Sequence, residues 1–77
     1  MSTPSKILAD NMRSLRLDRK WSQQTLAGKC GMSRPRISEL ESGSFNPTLD
    51  TVGRIAAELK VPLIRLFRLT GIRQNVR

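Results

Sequence analysis

Apolar residues recur along this chain at helical spacing, with no β-alternating stretch of useful length. Leu8, Met12 and Leu15 fall at i, i+4 and i+7, with Ile7 beside them, and predict a helix opened by Pro4 and Ser5 and running to about Arg19. Leu26, Ala27 and Cys30 mark a second helix from Gln23 to about Cys30, with Ser22 as its cap. Ile37 and Leu40 mark a third, Arg34 to about Ser42. Leu49, Val52, Ile55, Ala56 and Leu59 mark a fourth, about Leu49–Leu59, capped by Thr48. After Val61-Pro62, a short fifth helix is expected over Leu63–Leu69, presenting Leu63, Leu66 and Phe67 inward. The predicted fold is all-α, five helices in one domain over 5–70, with 1–4 a disordered lead and 71–77 a frayed basic tail.

The stretch Gln23–Glu41 organises the rest. Gly31 lies between two short apolar faces, where a sharp reversal needs a residue that tolerates positive φ. Ser33 can cap the helix that follows, and Pro35 sits in its first turn, where a missing N–H costs nothing. Gly43 is placed to end that helix. Ala27 is small where two crossing helices approach most closely. Together these features predict a helix–turn–helix at the second and third helices, with the third offered outward.

Charge says what the outward helix meets. Fourteen Lys and Arg against six acids give +8 over 77 residues, a field that favours polyanions. Three aromatics, Trp21, Phe45 and Phe67, form no basic–aromatic strand pattern, which argues against single-strand stacking platforms. Histidine is absent and there is one cysteine, so neither a metal-ligand cluster nor an internal disulfide is expected; Cys30 reads as a buried thiol. No nucleophile stands beside a base and no glycine-rich phosphate loop occurs, so no enzymatic chemistry and no cofactor are predicted. With no apolar run near ~20 residues and no signal-like N-terminus, neither a membrane partner nor secretion is predicted, and the expected location is the cytoplasm, with the nucleoid.

From about Leu8 to Phe67 the chain resembles the Xre-type helix–turn–helix domains of lambdoid phage repressors and Cro proteins. The match rests on L-x-x-x-M-R-x-L-R (8–16), W-S-Q-x-x-L-A (21–27), G-M-S-R (31–34), I-S-x-L-E-S-G (37–43), N-P-T-L-x-T (46–51) and A-x-x-L-x-V (56–61). The resemblance implies a lambda-repressor-like fold and double-stranded DNA as partner. Two positions depart from it. The family usually has glycine after the first helix and before the fifth, where this chain has Lys20 and Lys60. Left-handed geometry at lysine costs roughly 1 kcal/mol relative to glycine.

Matched residue by residue, the resemblance makes Ser33, Arg34, Pro35, Ser38 and Glu39 the candidates for base contact in the major groove. The alternative for each is an exposed helix residue with no base contact, and for Arg34 a contact to phosphate alone. Arg34 is foremost, since a guanidinium can chelate guanine O6 and N7. Pro35 can pack on a thymine methyl. Glu39 can accept from cytosine N4, or orient Arg36 as an i, i+3 pair. Arg36 is assigned to phosphate, as is Gln23 at a helix N-terminus, where the equivalent family glutamine also braces the outward helix. Ser22, Ser42, Ser44 and Asn46 have weaker claims as phosphate contacts. The resemblance further implies a partly buried salt bridge between Arg16 and Glu41, structural in role.

One helix–turn–helix of this size gives weak selectivity, so a homodimer on a palindromic operator is expected. Ile64, Leu69 and Ile72, apolar positions not needed inside, are the candidate dimer surface, or else scattered surface hydrophobes. With no effector domain evident, regulation is expected from concentration, operator arrangement or a partner, such as a small toxin or RNA polymerase. The leading reading is a prokaryotic or phage transcription regulator: a restriction–modification controller, a Cro-like protein or a prophage repressor. The alternatives are an antitoxin that inhibits a partner toxin and represses its own operon, and a nonspecific architectural or RNA-binding protein.

Overall fold

A computed structural model of the chain describes residues 3–69. Helix α1 spans Pro4–Asp18, α2 Gln23–Cys30, α3 Arg34–Ser42 and α4 Leu49–Leu59, followed by a 3-10 turn at Leu63–Phe67. Each α-helix starts where a hydroxyl can take an orphan N–H. Thr3, Ser22, Ser33 and Thr48 accept from the backbone N–H of Lys6, Thr25, Arg36 and Thr51 respectively. Helix α1 therefore begins inside the 1–4 segment read from sequence as a lead, because Thr3 caps it and Pro4 supplies its preset φ.

The inward stripes meet in one core. Leu8, Met12 and Leu15 of α1 pack with Leu26, Ala27 and Cys30 of α2, Ile37 and Leu40 of α3, and Val52, Ile55, Ala56 and Leu59 of α4. Burial pushes the Cys30 thiol up from its ordinary range; Glu58 adds to the shift and Arg54 opposes it. Leu49 belongs to the stripe by periodicity, yet it is 74% exposed. As the first residue of α4 it projects past the end of the core.

The chain after α4 differs from the expected fifth helix. It is a 3-10 turn of five residues, and only Leu66 is buried. Leu63 and Phe67 were expected inside and are exposed. With three residues per turn, Phe67 is rotated about 120° from Leu66 and so turns away from the core, whereas Leu63 shares the Leu66 face yet stands 43% exposed at the start of the turn. Burying Leu66 stabilises by roughly 1.5–3 kcal/mol, and a polar clamp adds to it. The Nδ2 of buried Asn11 donates to the carbonyls of Leu66 and Arg68, both at 2.7 Å.

Lys20 and Lys60 take the left-handed conformation usual for glycine, at φ 59° and 60°. The two sites terminate α1 and α4, whose C-terminal ends Arg19 ties together by donating to the carbonyls of Leu15 at 2.8 Å and Leu59 at 2.6 Å. These charge-assisted bonds to orphan carbonyls offset part of the lysine strain.

Candidate nucleic-acid interface

Helix α3 is fixed at both ends and along one side. Its start is capped by Ser33, with the turn before it made by Gly31 at φ 68°. Its end is Gly43 at φ 80°, where a Cβ would come within 3.4 Å of the Lys6 backbone and 3.3 Å of its Cδ. That glycine lets α3 lie directly on α1. Ile37 and Leu40 hold the inner side. Of the residues assigned to base contact, Ser33, Arg34, Pro35 and Glu39 are exposed and Ser38 is half-buried.

A continuous polar chain braces the start of α3 from behind. Arg16 grips Glu41 through Nε at 2.8 Å and Nη2 at 3.0 Å, and its Nη1 donates to the Trp21 carbonyl at 2.7 Å. Gln23 Nε2 donates to Glu41 Oε1 at 3.1 Å, and Gln23 Oε1 accepts from Arg34 Nη1 at 3.4 Å. An amide between a carboxylate and a guanidinium has one favourable orientation, NH₂ to the acid and oxygen to the base. Gln23 is thus a splint that carries the fixed position of Arg16 and Glu41 out to Arg34. The bond to Arg34 is long and exposed, so this side chain is guided but free to turn.

The other assigned residues are committed locally. Ser42 Oγ donates to the Glu39 carbonyl at 2.6 Å and pairs with Ser44 Oγ at 2.7 Å. A hydroxyl has one proton, so Ser44 is the donor in that pair. Asn46 Oδ1 accepts from the Ser5 hydroxyl, and Ser22 Oγ pairs with Thr25 Oγ1 while capping α2. To reach a phosphate, Ser42 or Ser44 would exchange a bond it already makes, whereas Asn46 accepts through Oδ1 and keeps its Nδ2 to donate. Arg36 turns aside from the outward face, its guanidinium 4.3 Å from the Phe45 ring centroid. Of the assigned dimer surface, Ile64 is 77% and Leu69 48% exposed, while Ile72 lies outside the described residues.

Two positioning residues escaped the sequence reading. Asn11 stands three residues after Leu8 and four before Leu15, on the apolar side of α1, and a polar residue there is the available signal of a buried clamp. Arg19 left none, because its partners are backbone carbonyls.

A family model described as helix-turn-helix matches residues 12–66. Over 61 residues the chain is 38% identical to a hypothetical transcription factor from Neisseria meningitidis serogroup B, covering 79% of this chain and 58% of that protein. The crystal structure of a hypothetical transcription factor from Neisseria superposes with a TM-score of 0.88 at 32% identity, over 97% of this chain and 86% of that one. The restriction-modification controller protein C.AhdI from Aeromonas hydrophila superposes with a TM-score of 0.77 at 28% identity, over 82% of this chain and 91% of that one. With its matched segment running from the middle of α1 through the 3-10 turn, the chain belongs to the Xre-like helix-turn-helix family.

Proposed function

We propose that the chain is a sequence-specific, double-stranded DNA-binding transcriptional regulator. In this reading α2 and α3 are the helix–turn–helix, and α3 lies in the major groove. Arg34 chelates a guanine, Pro35 packs on a thymine methyl, and Ser33, Ser38 and Glu39 complete the base-reading set. Gln23 meets a phosphate at the start of α2, a role that suits its bracing of Arg34. Ser22, Arg36, Ser42, Ser44 and Asn46 line the flanks facing the phosphates. The observation that carries this reading is the exposed first turn of α3, with Arg34 guided by a buried ion pair through Gln23.

The acting form is a homodimer, its surface including exposed Ile64 and Leu69 with Ile72. Two copies of α3 then address half-sites one DNA turn apart, about 34 Å. The match in fold to a restriction-modification controller supports a regulator of that kind, with Cro-like and prophage repressors as its functional neighbours. Selection of bound sequences from randomised duplex DNA tests the reading. Enrichment of a palindrome, bound by two chains per duplex in sedimentation analysis, is the expected result. Binding without any enriched site overturns it.

A further inference from the structure

Arg34 and Arg36 stand about 200° apart around α3 at about 100° per residue. As Arg34 leans toward Gln23 and the start of α2, Arg36 faces α4. On that side a cleft opens between the start of α3 and the first turns of α4, lined among others by Ser33, Arg36, Asp50, Thr51 and Arg54. Three observations give the cleft a chemical character. The Arg36 Nε is buried and has no hydrogen-bond acceptor among the described residues, while Phe45 holds its guanidinium in place. The guanidinium thus carries a donor that nothing among the described residues satisfies. The Arg54 guanidinium reaches the α2–α3 turn, Nη2 lying 3.5 Å from where a Cβ on Gly31 would stand. Neither arginine has a carboxylate within 4.0 Å among the described residues, although Asp50 lines the same cleft four residues before Arg54.

The hydroxyls at the rim each have a proton left to donate. Thr51 Oγ1 accepts from the Thr48 hydroxyl, and Ser33 Oγ accepts from the Arg36 N–H, so each keeps its own proton. The positive end of the α4 dipole opens on the same side.

We infer that this cleft is a seat for one phosphate oxyanion, held between Arg36 and Arg54 with Ser33 and Thr51 at its rim. Ser33 immediately precedes Arg34, so the seat adjoins the edge of α3 that reads bases. A major groove about 12 Å wide has a phosphate strand on each flank. Gln23 attends one flank and the seat the other. That the oxyanion is a DNA phosphate rests on the function proposed above; that the seat binds phosphate does not. Asp50 weakens the field of the seat without cancelling its two cations.

The test uses the full chain labelled with ¹⁵N, reading arginine Nε–Hε resonances during titration with inorganic phosphate, at constant ionic strength against chloride. The expected result is a saturable shift confined to Arg36 and Arg54. Binding should weaken about tenfold or more in Arg54→Gln and tighten several-fold in Asp50→Asn. Arg54 is exposed on α4, so its variant should keep the wild-type amide spectrum. With the selected duplex, Arg54→Gln should lower the slope of log K against log salt by about 1 and leave base preference unchanged. A phosphate shift with an unchanged salt slope would keep the seat and assign it to a free phosphate compound. If neither phosphate nor duplex moves the Arg36 and Arg54 resonances, and the slope is unchanged while wild type still selects an operator, the inference fails and the proposed function stands. If wild type selects no operator, the proposed function fails and the phosphate titration still decides the seat.

Discussion

Glu41→Gln replaces one carboxylate oxygen with an amide nitrogen, at the point where α1, α2 and α3 are joined. The Arg16 and Glu41 side chains are 9% and 4% exposed, so water cannot replace what the substitution removes. The carboxylate accepts from Arg16 Nε, Arg16 Nη2 and Gln23 Nε2. A glutamine keeps one accepting oxygen and turns its NH₂ against a donor. Leaving a buried guanidinium without its counter-charge costs roughly 3–5 kcal/mol. Against the 5–15 kcal/mol of a typical domain, that is a third or more of the total for a chain this small. At about 4–8 °C per kcal/mol, the melting temperature should fall by roughly 12–40 °C. Urea unfolding followed by circular dichroism, at fixed pH and salt, measures the change. The matched control is Arg16→Met with Glu41→Leu, which removes both charges and should recover most of the loss. A Glu41→Gln variant within ~1 kcal/mol of wild type would refute the reasoning, as would a double variant as unstable as the single one.

Lys60→Gly and Lys20→Gly should each stabilise by about 0.5–1 kcal/mol in the same assay, because relief of the left-handed lysine exceeds the entropy glycine adds to the unfolded chain. Asn11→Leu orphans the carbonyls of Leu66 and Arg68 and should cost about 1–3 kcal/mol. Amide exchange in that variant should speed up most around the 3-10 turn; uniform acceleration across the chain would mean Asn11 is not a local clamp. Gly43→Ala combines positive φ with a close approach to the Lys6 backbone and should cost ~1–2 kcal/mol or more. Gly31→Ala, with one side-chain atom at 3.5 Å, should cost less, and a reversed order would refute the close-packing account.

The helices that could be read from sequence are those with local punctuation. Ser33 and Gly43 bracket α3, and Thr48 and the periodic Val52, Ile55, Ala56 and Leu59 define α4, because caps and stripes act within a few residues. Leu49 and Phe67 were misplaced for the opposite reason. Periodicity assigns a face but does not say where the core ends, nor that the last segment winds as a 3-10 turn. Asn11 and Arg19 act on carbonyls of residues 66, 68 and 59, and a backbone acceptor that far along the chain has no sequence signature. The same limit hid the second arginine of the α3–α4 cleft: Arg36 was legible as a basic residue on the outward helix, whereas Arg54 joins it only once α4 is folded against the turn.

Parallel selections from randomised duplex DNA with wild type and Arg34→Ala test the central claim, that α3 reads bases through Arg34. The account predicts that wild type enriches a palindrome with half-sites one helical turn apart. Arg34→Ala should lose preference at one base pair per half-site, a discrimination of roughly 1–3 kcal/mol, and keep the rest of the site. A uniform loss of affinity across all sequences, with the enriched palindrome unchanged, would contradict it and make Arg34 a phosphate contact.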